Sequence, residues 1–134
     1  MANLVKVEGI GEKYVQRLAK AGISTTQALL AKGASSQGRK AIAGETGLTQ
    51  KLILRWVNHV DLFRVKGVGE EYADLLEAAG VDTVPELGQR NPGNLHQKLV
   101  EVNQQKKLVR QLPSESQVKD WVEQAKQLPR KITY

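Results

Sequence analysis

The sequence predicts an all-α protein, and three observations support this prediction. Apolar residues recur at helical spacing along the 134-residue chain, as at Tyr14, Val15 and Leu18. A segment that begins at Val5 is repeated 58 residues later from Phe63, with its glycines in register. No stretch shows the alternation of polar and apolar residues that is typical of a half-buried β-strand. We therefore expect helices throughout.

The repeat consists of VKVEGIGEKYVQRLAKAGIST and FRVKGVGEEYADLLEAAGVDT. Its matched positions are Val7/Val65, Gly9/Gly67, Gly11/Gly69, Glu12/Glu70, Tyr14/Tyr72, Leu18/Leu76, Ala21/Ala79, Gly22/Gly80 and Thr25/Thr83. In each copy a Gly-aliphatic-Gly turn precedes an amphipathic helix. Gly22 and Gly80 stand where a left-handed C-terminal cap would end that helix. Thr25 and Thr83 are the predicted N-caps of the helix that follows.

A second pair of segments extends the repeat toward the C-terminus. LILRWVNHV from Leu52 matches QVKDWVEQA from Gln117, which aligns Trp56 with Trp121 and predicts that both are buried. The offset has grown from 58 to 65, and we expect the seven additional residues between Asn103 and Ser116. Ser114, after Pro113, is the predicted N-cap of the last helix.

The repeat divides the chain into residues 1–61 and 62–134, as two packed halves or as one compact domain. The segment from Thr49 to Leu62 leads into the second turn, and the few residues before the first turn are expected to be too short for an equivalent helix. We expect the C-terminal helix to pack against the first turn and to close the halves about a pseudo-two-fold axis. The alternative is that a second chain supplies this helix, so the protein is expected to be a monomer or a homodimer.

Composition excludes several classes of site. Without cysteine there are no disulfides, thiol nucleophiles or thiolate metal sites. No apolar run approaches the length of a membrane span, and we expect a cytoplasmic protein. The formal net charge of +6 is uneven. Residues 1–61 contain nine Lys/Arg and four Asp/Glu, whereas residues 62–134 contain eleven and ten. A polyanion would therefore bind the first half.

The two glycine turns, with the tyrosine, leucine and AGI or AGV that follow, resemble the helix-hairpin-helix motif. The tandem arrangement is similar to a bacterial domain family of unknown function built from such motifs. The resemblance implies two tandem helix-hairpin-helix repeats that bind DNA through backbone amides without strong sequence preference. Carried over by position, it implies DNA contacts at Gly9, Ile10, Gly11, Gly67, Val68 and Gly69. The cations beside the first turn, Lys6, Lys13, Arg17 and Lys20, are added as candidate contacts because of their charge.

The two copies differ at the positions that matter for a phosphate. The first turn is followed by Glu12 and then by Lys13, Arg17 and Lys20, which share one helix face. The second is followed by Glu70 and Glu71, which satisfy the helix dipole themselves and repel a phosphate. We therefore interpret the second turn as mainly structural. Packing of two helices is an alternative role for the first turn as well.

Other candidate sites are weaker. Arg39–Lys40, Lys51 with Arg55, and the run from Lys106 to Arg110 would extend a basic surface. The acidic face of Glu70, Asp74 and Glu77 is interpreted as solvated, and His59 and His96 lack ligand spacing. No catalytic set, metal site or cofactor motif is present, so we expect no enzyme activity and no cofactor.

The sequence thus favours a non-catalytic, sequence-nonspecific DNA-binding protein. The alternative is a protein-protein interaction or scaffold module in which both turns only hold the fold and the acidic second half meets a basic partner. An accessory subunit that delivers an enzyme to DNA is a third hypothesis.

Overall fold

The computed structural model describes residues 4–7 and 9–134, apart from the side chain of Lys6. Within these residues the protein is all-α, as predicted, and contains no strand. A short 3-10 helix at Leu4–Lys6 precedes eight α-helices. They are α1 (Glu12–Lys20), α2 (Thr26–Gly33), α3 (Ser36–Thr46), α4 (Gln50–Leu62), α5 (Glu70–Ala78), α6 (Val84–Gly88), α7 (Pro92–Lys106) and α8 (Glu115–Gln127).

The chain forms two compact units. The first unit comprises residues 1–61 together with residues 131–134, and the second comprises residues 62–130. The division between residues 61 and 62 is the one at which the sequence repeat was divided. The last four residues, which the repeat assigned to the second half, belong to the first unit.

Polar side chains start the helices of the first unit at the predicted places. The hydroxyl of Thr25 accepts a hydrogen bond from the backbone N–H of Ala28, and Thr49 caps α4 in the same way. At the end of α1, Gly22 adopts the predicted left-handed conformation with φ 76°. The core of the unit is aliphatic apart from one tryptophan, and it includes Leu18, Ile23, Leu29, Ile53, Trp56 and Val57.

Arg39 of α3 is buried, which corrects its expected place on a basic surface. Its guanidinium donates hydrogen bonds to the carbonyl oxygens of Gly33, Ala34 and Thr133 at 2.7–3.1 Å. The backbone N–H of Thr133 donates in turn to Ala34 at 2.8 Å, and the ring of Tyr134 lies 5.8 Å from the guanidinium carbon. Arg39 therefore binds the C-terminal residues to the first unit.

The second unit contains α5–α8. Thr83, Asn91 and Ser114 cap α6, α7 and α8, and Ser114 forms a full capping box with Gln117. α8 packs against α6 and α7, and its Trp121 is almost completely buried. The remaining core is aliphatic and includes Leu62, Val65, Leu75, Leu76, Val81, Leu87, Leu95, Leu99, Val118 and Val122.

Within the second unit, the ring of Trp121 packs against Gly67 and Tyr72. The additional residues of the second copy lie where they were expected, between Asn103 and Ser116. They form the end of α7 and most of the connection 107–114, for which the first unit has only 47–49.

We expect Arg39→Met to lower the free energy of unfolding by about 2–4 kcal/mol, because three carbonyl oxygens lose a charged donor. Urea denaturation measures this change, and Lys40→Met at the exposed neighbouring position is the control. Hydrogen exchange at the Thr133 amide should also accelerate. Unchanged protection of this amide would show that Arg39 does not hold the C-terminal residues.

We expect Gly67→Ala to destabilise the protein by about 2–4 kcal/mol, as measured by urea denaturation. Gly67 has φ 96°, and an added Cβ would lie 2.9 Å from Nε1 of Trp121. Gly69→Ala is the matched control, because Gly69 has φ −101° and an added Cβ meets no atom within 4 Å. The control should cost less than about 1 kcal/mol. Equal losses in both variants would contradict this distinction.

Candidate functional site

The first glycine turn (Gly9–Gly11) is built on a tryptophan. Gly9 has φ 90°, and an added Cβ would lie 3.4 Å from Nε1 of Trp56. The ring of Tyr14 meets that of Trp56 edge-on, with centroids 5.2 Å apart. Ile10, between the two glycines, points into the core and is 3% exposed. The first glycine and the aliphatic residue are thus explained by packing inside the unit.

Gly11 has no such internal explanation. Its φ of −86° and ψ of −179° are open to any residue, and an added Cβ would meet no atom within 4 Å. It is the N-cap of α1, where Ser, Thr, Asp or Asn would normally bind the free backbone amides of the first turn. α1 has no side-chain cap hydrogen bond. The N-terminal amides of α1 are therefore left uncovered by a cap.

This arrangement distinguishes the two helices that follow a glycine turn from the others. α5 begins at Gly69, also without a side-chain cap hydrogen bond. The other helices have a side-chain cap, supplied by Thr25, Ser35, Thr49, Thr83, Asn91 and Ser114. An uncapped helix N-terminus combines free N–H donors with the positive end of the helix dipole, and this combination favours an anion.

Cationic side chains lie along the helix that follows the first glycine turn and on the helix beneath it. On α1, Lys13 and Lys20 are exposed and Arg17 is half-buried. Arg55 of α4 adds a guanidinium, with Nη1 3.9 Å from the position of a Cβ on Gly9. Lys32 serves the fold instead, because its ammonium donates to the carbonyl oxygens of Ala21 and Gly22 at the end of α1. The side chain of Lys6, a predicted contact, lies outside the described residues.

The second glycine turn (Gly67–Gly69) repeats the packing but not the charge. The rings of Tyr72 and Trp121 are 5.2 Å apart, and Val68 is 5% exposed. Gln124 of α8 holds the backbone just before this turn. Its side-chain amide accepts a hydrogen bond from the backbone N–H of Lys66 and donates one to the backbone carbonyl oxygen of Lys66. Because the side chains of Ile10 and Val68 are buried, only the backbone of these two residues is available to a ligand.

At matched positions the charges around the two turns differ. Lys13 corresponds to Glu71, Arg17 to the fully buried Leu75, and Arg55 to Asp120. Glu70 and Glu71 are exposed in the first turn of α5. The first turn of α1 therefore carries one carboxylate, Glu12, followed by the cation Lys13, whereas the first turn of α5 carries two carboxylates, Glu70 and Glu71.

Sequence reasoning did not connect two arginines with the glycine turns. The sequence identified Arg55 only as a basic residue. Because Arg55 is adjacent to Trp56, and Trp56 packs against Gly9, the guanidinium of Arg55 also lies near Gly9. Arg110 lines a groove of ≈ 510 Å³ with Gly67, Gly69, Glu70, Glu71, Tyr72 and Gln111. No sequence signal indicated this position, because the connection that carries Arg110 has no counterpart in the first repeat.

Two further properties bear on the kind of site. Across residues 4–7 and 9–134, no group of three or more His, Cys, Asp or Glu side chains is placed to hold a metal ion. None of the helices in this part of the chain has the length and apolar character needed to cross a membrane.

We expect Gly11→Ser to raise the free energy of unfolding by about 0.5–1 kcal/mol, because serine caps α1 and restricts the unfolded chain. Gly69→Ser should give a similar gain at α5. Both are measured by urea denaturation. A loss of stability at Gly11 would mean that this glycine is needed for packing, contrary to the open space around it.

Comparison with known proteins gives a family and no function. No curated protein and no solved structure matches this chain. The model of one family, described as "Domain of unknown function (DUF4332)", matches residues 8–128, which is most of the chain. The protein therefore belongs to the DUF4332 family.

Proposed function

We propose that the protein is a non-catalytic, sequence-nonspecific DNA-binding protein, and that its two units are tandem helix-hairpin-helix repeats. The first glycine turn is the proposed DNA contact. The observation that carries this proposal is a combination at the first turn: Gly11 is an N-cap without a side chain where the protein has room for one, and the cations Lys13 and Arg17 follow it. Gly69 shares the open N-cap but is followed by Glu70 and Glu71. An N-cap glycine that packing does not require leaves room for a ligand to approach the backbone closely.

A DNA phosphate fits the chemistry of this turn. The uncapped amides at the start of α1 donate hydrogen bonds to phosphate oxygens, and the helix dipole adds to the attraction. Lys13 and Arg17 supply the positive charge, and Lys20 and Arg55 extend it along the surface of the first unit. Such contacts hold the sugar-phosphate backbone and do not read base edges, so little sequence preference is expected.

The second glycine turn has a structural role in this proposal. The exposed carboxylates of Glu70 and Glu71 occupy the first turn of α5 and repel a phosphate. Over whole units the asymmetry persists. The first unit contains ten Lys/Arg and four Asp/Glu, whereas the second contains ten of each.

The acidic second glycine turn also favours the alternative, a protein-protein interaction or scaffold module with a basic partner. Under that alternative both glycine turns serve packing only, and cations near the first turn are ordinary surface charge. The two functions differ in what Gly11 does. Packing alone gives no reason for a change at Gly11 to affect DNA affinity.

We expect micromolar binding of labelled duplex DNA, measured by fluorescence anisotropy between 50 and 200 mM salt, that weakens about tenfold or more in Lys13→Glu/Arg17→Glu. The slope of log affinity against log salt should fall in magnitude by about 1.8, for two lost phosphate contacts. Lys98→Glu/Lys119→Glu, which makes the same change of charge on exposed positions of α7 and α8, is the control. Single-stranded and branched DNA are compared in parallel.

Gly11→Ser separates the DNA contact from the fold. It should weaken DNA binding while the protein becomes more stable, because the added side chain occupies the amides that would bind phosphate. Gly69→Ser should leave DNA affinity unchanged. No binding by the wild-type protein at 50 mM salt would refute the proposal and favour a protein partner. Binding that is insensitive to both Gly11→Ser and Lys13→Glu/Arg17→Glu would exclude the first glycine turn as the contact.

A further inference from the structure

The connection between α7 and α8 is strongly basic. From Val102 to Ser114 the sequence VNQQKKLVRQLPS contains Lys106, Lys107 and Arg110 and no acidic residue. The part from Lys106 to Leu112, called the basic loop here, has no equivalent in the first unit, where α3 and α4 are joined by residues 47–49. Neither the packing of the second unit nor the proposed phosphate contact at Gly11 accounts for its charge.

The basic loop is held in one conformation by side chains of its own unit. The amide of Asn103 accepts from the N–H of Val109 at 2.9 Å and donates to its carbonyl oxygen at 3.2 Å. The hydroxyl of Tyr72 donates to the carbonyl oxygen of Gln111 at 3.0 Å. A ring nitrogen of His96 lies 3.0 Å from the carbonyl oxygen of Pro113. These contacts order the loop before any ligand binds, which lowers the entropy cost of binding.

Most side chains of the basic loop are exposed, and Val109 anchors it to the core. Val109 and Pro113 are buried, whereas Arg110 is exposed and Leu108 and Leu112 are each 37% exposed. Large hydrophobic side chains are rarely exposed elsewhere in the described chain, where the others are Val5 and Tyr134. The loop therefore presents two leucines and three cations on a fixed support.

We propose that the basic loop is a second DNA contact, in which Lys106, Lys107 and Arg110 bind phosphates and the two leucines pack against sugars and bases. This inference rests on the proposed DNA-binding function and adds a partly apolar contact to it. Leucine side chains beside Lys and Arg are a combination that proteins use against the minor groove and partly unstacked base steps. The positive charge complements the phosphate backbone, and the fixed leucines complement the apolar surface between phosphates.

An anionic lipid surface is the other ligand with this chemistry, and the exposure of the leucines favours DNA. Only about a third of each leucine is accessible, whereas insertion into a bilayer requires a larger apolar surface to leave water. The carboxylates of Glu70 and Glu71, which line one groove with Arg110, lie close enough to the loop to repel a bound phosphate. Neutralising these two carboxylates should therefore raise the affinity for DNA, which provides a further test.

Three sets of variants of the full chain are compared by fluorescence anisotropy with duplex DNA over a range of salt. Lys106→Gln/Lys107→Gln/Arg110→Gln should weaken binding about tenfold or more at 100 mM salt and reduce the magnitude of the salt slope by up to about 2.7. Leu108→Ser/Leu112→Ser should weaken binding roughly threefold to tenfold with no change of slope, because it removes an apolar contact. Lys98→Gln/Lys119→Gln/Lys126→Gln is the charge-matched control.

Glu70→Gln/Glu71→Gln should raise DNA affinity severalfold, an effect that partial unfolding cannot imitate. The inference is overturned if the loop variants bind DNA as the control does while Lys13→Glu/Arg17→Glu loses binding, and the proposed function then stands alone. It is also overturned if the leucine variant loses binding to phosphatidylglycerol vesicles and retains DNA binding. Absence of DNA binding by the wild-type protein overturns both proposals. If the loop variants lose DNA binding while Lys13→Glu/Arg17→Glu binds normally, the basic loop is supported as a DNA contact and the first glycine turn is excluded as one.

Discussion

The packing of a tryptophan beneath a left-handed glycine is the interaction on which each unit depends. A Cβ at Gly67 would clash with the indole of Trp121, a Cβ at Gly9 would lie in close contact with that of Trp56, and the positive φ at both positions is itself costly for other residues. With the glycine in place, Trp56 and Trp121 fix the helices that carry them against the turns, and Tyr14 and Tyr72 complete the contacts at the ring edges. The indole N–H of Trp56 is buried without a hydrogen-bond partner in the described part of the chain.

The same constraint separates two roles that a Gly-aliphatic-Gly turn combines. Packing and ligand contact were alternative explanations for the whole turn, but in the structure they concern different residues. Gly9 and Ile10 are accounted for by Trp56 and the core, whereas Gly11 faces open space in an ordinary backbone conformation. Because packing of Gly9 against Trp56 and of Ile10 into the core fixes the turn, the third residue, Gly11, is not constrained by packing.

Much of the fold was predictable because it is decided locally. The caps at Thr25, Thr83 and Ser114 and the left-handed Gly22 depend on residues within a few turns of each other, and all were predicted correctly. The burial of both tryptophans was predicted correctly from the apolar face of each helix, although the turns that they pack against are distant in sequence. What failed depends on the path of the chain. Arg39 was taken for a surface cation because nothing local shows that residues 131–134 return to it, and Arg110 was not connected with the second glycine turn because its loop is an insertion. Each tryptophan helix packs on the glycine turn of its own unit, and local patterns did not show this contact because its residues are distant in sequence.

The two units share their packing but differ in surface charge, and this difference affects the stability of the helices that follow the glycine turns. The glycines, aliphatic residues and tryptophans set the packing, so the exposed positions around them vary without changing the fold. At the start of a helix a carboxylate is favourable and a cation is unfavourable, each by about 0.3–1 kcal/mol. Glu12 and Glu70 are favourable at the starts of α1 and α5 alike, whereas at the next position Glu71 stabilises α5 and Lys13 weakens α1. An uncapped helix that begins with glycine and carries a lysine in its first turn is poorly optimised for stability, and a bound phosphate would remove both deficits at once.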